Sequence, residues 1–189
     1  VTTLAEVGDP QGLSWGAAGL IFVANDGRLG VVPENGGSFR PLAGGTTPSG
    51  SSERFPIALP GGKSLLYTEW SGTLVAARVM RRTIESAPAT TVVDSAMAIG
   101  IVQGWLVTGG SGGILSMAPF DGARATGPSR QVFQGVALVL SLTSATVAPN
   151  GTLLYQPGTG LSDLVLHYLF SPRKTSTHHH SYQVLGRQI

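Results

Sequence analysis

Gly19-Leu20-Ile21-Phe22 is the first of four stretches in which a glycine leads into an aliphatic and aromatic run. The others are Gly62-Lys63-Ser64-Leu65-Leu66-Tyr67, Gly104-Trp105-Leu106-Val107 and Gly151-Thr152-Leu153-Leu154-Tyr155. Their glycines stand 43, 42 and 47 residues apart. A period in the forties marks a propeller blade, a small sheet that buries its two faces against neighbouring sheets. The glycine permits a tight turn, and the run after it fills the space between sheets. Each large side chain so buried contributes about 1.5–3 kcal/mol.

Outward from the first copy, Leu20 to Val23 reads as a strand and Asn25-Asp26-Gly27 as a hairpin turn, since these residues tolerate positive φ. Leu29 to Val32 returns, and Phe39 to Leu42 begins a third strand. In the second unit Phe55 to Leu59 leads through Pro60-Gly61-Gly62 to a strand at Leu65 to Thr68. Thr73 to Val79 and Thr90 to Val93 follow as its partners. The third runs Trp105 to Thr108, a glycine turn Gly109 to Gly113, Ile114 to Ala118, and Gln131 to Phe133. The fourth passes through Pro149-Asn150-Gly151 into Leu153-Leu154-Tyr155, with Leu164 to Leu166 as one more strand.

These units predict an all-β chain of about four β-propeller blades, the last incomplete, as an open or partial propeller. Residues 1–11 read as a lead-in, 12–170 as the partial propeller, and 171–189 as a polar, disordered tail. An open arc leaves apolar end faces and strand edges bare. Self-association through open blade edges and a longer parent propeller are therefore expected.

Composition agrees. Of 189 residues, 27 are Gly and 12 Pro, which suits many short strands and tight turns. Charged residues make up 12%, about half the usual share. Net charge is +2, and no Lys/Arg run lies on an aromatic-rich face, so nucleic acid is not an expected partner. With no Cys, disulfides and thiolate metal sites are excluded. The longest apolar stretch, Val136 to Leu140, is too short to span a bilayer, so no membrane insertion by this chain is expected.

Several phrases resemble one family. Ser14-Trp15-Gly16, Gly19-Leu20-Ile21-Phe22 and Val32-Pro33-Glu34-Asn35-Gly36-Gly37 are similar to its repeat "SWGPDGTIVF…VPAxGG". Arg54-Phe55-Pro56 through Leu59-Pro60-Gly61-Gly62 resembles "RWPxxLPDG". Ala118-Pro119-Phe120-Asp121 with Thr126-Gly127-Pro128 resembles "AVPFDxxxxxxTGPP", and Ala148 to Gly158 resembles "SxDGTLVYVPG". The family is the TolB-like, WD-repeat-like propeller of bacterial receptor-type serine/threonine protein kinases. The resemblance covers about Gly12 to Gly160. It implies a sensor or interaction module outside the cytoplasm, carried beyond a kinase domain and a membrane helix. The chain has none of the kinase motifs, so kinase activity attaches to no residue here. From Tyr168 onward the sequence departs from the family, as a truncated or frame-disturbed reading frame would.

Gly12-Leu13-Ser14-Trp15-Gly16 and Gly109-Gly110-Ser111-Gly112-Gly113 both fit the G-x-S-x-G nucleophile elbow, and Asp163 and His167 follow in triad order. That chemistry needs a strand before the serine and a helix after it, a context neither motif has in the sequence. Both read as blade turns, and no catalytic residue is assigned. The competing reading is a hydrolase, either a serine esterase or the propeller region of a prolyl-peptidase-like enzyme. His178-His179-His180 lacks a companion carboxylate, and Asp26 and Asp121 read as turn residues, so no metal or cofactor is assigned. Trp15, Trp70 and Trp105 read as packing between blades, with a rim surface as the alternative for Trp70. Arg78, Arg81 and Arg82 read as a solvated basic cluster. The expected partner is a protein, peptide or small ligand on a rim, met by the longer loops Ala43 to Glu53 and Val136 to Thr143.

Overall fold

Asp26 and Gly27 hold φ of 50° and 73°, the left-handed pair that lets a two-residue hairpin turn match the twist of its strands. The turn joins β2 (Leu20–Asn25) to β3 (Arg28–Pro33), in register from Leu20↔Pro33 to Asn25↔Arg28. β1 (Pro10–Trp15) flanks β2 and β4 (Arg40–Pro41) flanks β3, giving an antiparallel sheet ordered β1-β2-β3-β4. The structure, a computed structural model, describes residues 2–43, 47–85, 88–158, 164–169 and 183–184.

The same meander recurs among the described residues. The second sheet is β5 (Ser52–Ala58), β6 (Ser64–Trp70), β7 (Arg78–Thr83) and β8 (Thr90–Asp94). The third is β9 (Met97–Val102), β10 (Trp105–Gly110), β11 (Ile114–Pro119) and β12 (Arg130–Gln134). A two-stranded hairpin follows, β13 (Leu138–Val139) and β14 (Leu142–Thr143). The last sheet is β15 (Ala145–Val147), β16 (Thr152–Tyr155), β17 (Leu164–Tyr168) and β18 (Gln183–Val184). Gln183–Val184 thus pairs within the stretch read as a tail; the rest of 171–189 lies outside the described residues.

The chain forms two compact units, Val1–Ala98 and Ile99–Ile189. In the first, side chains alternate across each strand. Phe22, Ala24, Leu29 and Val31 leave one face of the first sheet and meet Leu65, Tyr67 and Met80 of the second. Ile21, Val23 and Val32 leave the other face and meet Leu4, Ala5, Val7 and Phe39. Both faces are buried, which is why these strands read as continuous apolar runs. In the second unit Leu106, Val107, Leu115 and Leu153 are fully buried.

One strand lies elsewhere than the sequence suggests. The partner of β6 is Arg78–Thr83, in register from Ser64↔Thr83 to Glu69↔Arg78, rather than Thr73 to Val79. Its three arginines disguise it as a solvated run. Arg82 is instead buried, at 3% exposure, because Glu53 from β5 accepts from its Nη1 at 3.4 Å and the Ala43 carbonyl accepts from its Nη2. Arg78 donates to Glu69. Carboxylates on two other strands, Glu53 and Glu69, take up two of the charges this strand carries.

Candidate functional site

Val136 to Thr143, expected as an open loop, is a hairpin whose tip is apolar and bare. Leu138, Val139 and Leu140 are 41%, 48% and 89% exposed. Leu140 and Ser141 form its turn with φ of 50° and 65°. Elsewhere this turn is built with glycine in second place, as Asp26-Gly27 and as Gln103-Gly104 between β9 and β10. A leucine held at positive φ is an outlier that costs on the order of 1–2 kcal/mol. The sequence therefore carries an apolar side chain in water, in a conformation it disfavours.

The base of the hairpin is held firmly. Ala137 N–H donates to the Gln156 carbonyl at 2.7 Å, Ser144 N–H to Ala137 at 2.9 Å, and Gln156 N–H to Ser144 at 3.0 Å. The N–H groups of Gly135 and Val136 both donate to the Gly113 carbonyl at 3.1 Å. Val136 and Thr143 are buried beneath the tip. A side chain at Gly109 would collide with Thr143, and one at Gly113 with the Val136 carbonyl. The glycine turn after β10 is thus the seat of the hairpin, and that gives the second G-x-S-x-G match a structural role.

The seat places Ser111 on an exposed 3₁₀ turn between two strands, without the helix that a nucleophile elbow requires. Ser14 lies inside β1, and its Oγ accepts from the Ala58 N–H of β5 at 2.9 Å. His167 lies on β17 opposite Leu153, its ring 5.5 Å from that of Phe133. Asp163 and the three histidines lie outside the described residues. Ser14→Ala is expected to lower the stability of the first unit by about 1 kcal/mol, the worth of one hydrogen bond. Ser111→Ala should leave it unchanged. Thermal melts of both variants and a chromogenic-ester assay check this; a hydrolytic rate that falls in either variant would contradict the structural role.

Around the first unit the side chains serve packing more than rim chemistry. Trp15, expected between blades, is 58% exposed, and its indole N–H reaches Glu34 Oε2 at 3.3 Å. It sits at the end of an edge strand. Trp70 is buried, with the Arg54 guanidinium 5.8 Å from its ring centroid. Burial, then the nearby Glu53 charge, pushes the Tyr67 hydroxyl well above its ordinary pKa, so it stays neutral in the core. Of the other expected contact loop, Pro48 to Gly50 is an exposed turn closed by Ser51 N–H on the Pro48 carbonyl, and residues 44–46 lie outside the described residues.

Along the chain, the sequence on either side of the hairpin carries little charge. From Ile99 to Ser162 the charged residues are Asp121, Arg124 and Arg130 alone. Asp121 closes its own turn by accepting from the N–H groups of Ala123 and Arg124, which hold its carboxyl below the usual range.

No family model and no curated protein matches the chain. Solved structures do. The calcium-binding protein regucalcin from Agrobacterium tumefaciens superposes with a TM-score of 0.61 at 12% identity, over 84% of this chain and 56% of its own. Apo AztD from Citrobacter koseri gives 0.55 at 11%, over 96% and 48%. Glutaminyl cyclase from Myxococcus xanthus gives 0.51 at 18%, over 84% and 65%. The fold is that of a β-propeller. The chain spans less than two thirds of each of these propellers. They include enzymes and binding proteins, so the likeness carries architecture and no activity.

Proposed function

We propose that this propeller chain is a non-catalytic recognition module that takes a protein or peptide partner on the Leu138–Leu140 hairpin. The observation that carries the reading is an exposed leucine, held at positive φ on a clamped base. Strain kept at an exposed position, in a turn where glycine would relieve it, marks a site selected for contact. Because Val136 to Thr143 carry no charged side chain, the contact is apolar and hydrogen-bonded, and salt will screen little of it. The phrases shared with receptor-type serine/threonine kinases support a place outside the cytoplasm, as the sensing part of such a receptor.

The test separates binding from folding. Replacing Leu140-Ser141 by Asn-Gly supplies the residues that the turn prefers. The hairpin should gain about 1 kcal/mol while the module loses its contact residue. Immobilised wild-type chain and the variant are compared against a cell-envelope extract at low and at high salt. The expected result is a partner retained by the wild type at both salts and lost by the more stable variant. Removal of residues 47–51 should leave that capture intact. Equal capture by the Asn-Gly variant would move the site away from the hairpin.

A further inference from the structure

An asparagine followed by glycine is chemically labile, because no side chain on the glycine shields its nitrogen from the asparagine carboxamide. The chain has three asparagines, Asn25, Asn35 and Asn150, and the last two precede glycine. The fold treats them unequally. Asn25 is held at both ends of its carboxamide: Oδ1 accepts from the Asp9 N–H at 3.0 Å, and Nδ2 donates to Asp26 Oδ2 at 2.8 Å. Asn150 Oδ1 accepts from the Thr152 N–H at 3.0 Å. The Gly151 that follows is buried, its N–H donating to the Ala148 carbonyl and its own carbonyl accepting from the Leu169 N–H, both at 2.9 Å. Asn35 is exposed on a turn, and its side chain has no hydrogen bond among the described residues. The restraint there is in the backbone, where the Gly36 N–H donates to the Pro33 carbonyl at 2.9 Å. Glu34, Asn35 and Gly37 are exposed around that bond, so water replaces it at little cost. Gly36 and Gly37, at φ of 89° and 142°, let the chain turn there without a steric barrier.

We propose that Asn35 is a site of spontaneous modification, which converts to isoaspartate while Asn150 keeps its amide, and that the conversion releases Gly37 from Leu4. Gly36 N gives its proton to hydroxide and attacks Asn35 Cγ. The new N–Cγ bond closes a succinimide ring, and the Cγ–Nδ2 bond breaks, with ammonia leaving. Water then opens the ring. Attack at Cγ gives aspartate; attack at the α-carbonyl leaves the main chain running through Cβ and Cγ, which is isoaspartate. The sum is amide plus water to acid plus ammonia. At Asn150 the same attack is blocked twice, because Thr152 holds the carboxamide oxygen and the buried Gly151 nitrogen keeps its hydrogen bond. The extra methylene at Asn35 lengthens the main chain where it is seated closely. The Gly37 N–H donates to the Leu4 carbonyl at 2.9 Å, and a Cβ at Gly36 would stand 3.1 Å from that same oxygen. The change also sets a new carboxylate beside exposed Glu34. The proposal is independent of the hairpin, which lies in the other unit.

The test uses the full chain, kept in warm buffer at mildly acidic and mildly alkaline pH, then unfolded, cut with trypsin and weighed by mass spectrometry. Trypsin separates the three asparagines into fragments 1–28, 29–54 and 131–173. The expected result is the amide-to-acid mass gain in 29–54, with isoaspartate in the product, while the other two fragments keep their mass. Conversion should be faster at the higher pH, because the attack needs the deprotonated nitrogen. In urea, where the fold is gone, Asn150 should convert at a rate comparable to Asn35. An amide retained at Asn35, or lost as fast at Asn150 in the folded chain, overturns the proposal. So does a preference for Asn35 that persists in urea, which would make it a property of the local sequence. Hydrogen exchange reads the second half: the Gly37 amide should lose protection in the converted chain and keep it in an Asn35→Gln chain stored alongside. Equal protection in the two would show that the contact with Leu4 survives the modification, and would overturn that half.

Discussion

Glu53→Ala will lower the stability of the first unit by about 3–5 kcal/mol, the range for stranding one member of a buried ion pair. Two groups lose their partner together. The Arg82 guanidinium stays buried with the Ala43 carbonyl as its one remaining partner among the contacts described above. The Leu29 N–H, which donates to Glu53 Oε2 at 2.8 Å, is left in the core, and an orphaned buried donor costs about 1–3 kcal/mol by itself. That N–H faces outward from β3, next to a carbonyl taken by the Leu42 N–H, so the carboxylate stands in for a strand that has ended. A domain's whole stability is about 5–15 kcal/mol, so this loss is a large share of it. Urea titration followed by tryptophan fluorescence reads it through Trp15 and Trp70.

Two companion variants make the Glu53 test specific. Glu69→Ala removes an equally buried carboxylate, but the arginine it leaves, Arg78, has a side chain 40% exposed. Water takes over there, and the cost should be about 1 kcal/mol or less. Glu53→Met combined with Arg82→Met removes both buried charges and should recover much of the loss, as apolar replacements of buried pairs do. A Glu53→Ala cost below that of Glu69→Ala would show that the buried pair does not hold β5 to β7.

The same pair shows what can be read from the sequence. The four glycine-led runs mark β2, β6, β10 and β16, because burial on both faces writes a strand as unbroken apolar residues. The turn Asn25-Asp26-Gly27 is equally legible, since its φ angles are set by local sterics. β7 is not, because Arg82 becomes a core residue only through Glu53, 29 positions away. β1 escapes notice for another reason. Gly12 holds φ of 116° within a bulge and breaks the alternation that would announce a strand. The hairpin was half legible. Its residues stood out as the longest apolar run, yet a loop and a hairpin tip share that signal. What separates them is the clamp from Gly113 and Gln156, which no local pattern records.

That clamp carries the second large effect. Gly113→Ala should cost about 2–5 kcal/mol and displace the hairpin, while Gly112→Ala, one residue away, should cost about 1–2 kcal/mol and leave it in place. Both glycines have positive φ, 73° at Gly112 and 68° at Gly113, so both substitutions bear the left-handed penalty. They differ in what a new Cβ would meet. At Gly112 nothing lies within 4 Å. At Gly113 the Cβ would fall within 3.0 Å of the Val136 carbonyl oxygen, a backbone atom that cannot move without carrying β13 with it. Relief therefore requires Gly135 and Val136 to give up their shared acceptor, the Gly113 carbonyl, and with it the seat of the tip. Overpacking of this kind adds about 1–3 kcal/mol to the backbone strain. Hydrogen exchange separates the outcomes: the amides of Val136 and Ala137 should lose protection in Gly113→Ala and keep it in Gly112→Ala. If partner capture depends on the clamped tip, it falls with the first variant and survives the second. Equal protection in the two would mean that the hairpin stands without its seat, and the rigidity on which the recognition reading depends would be gone.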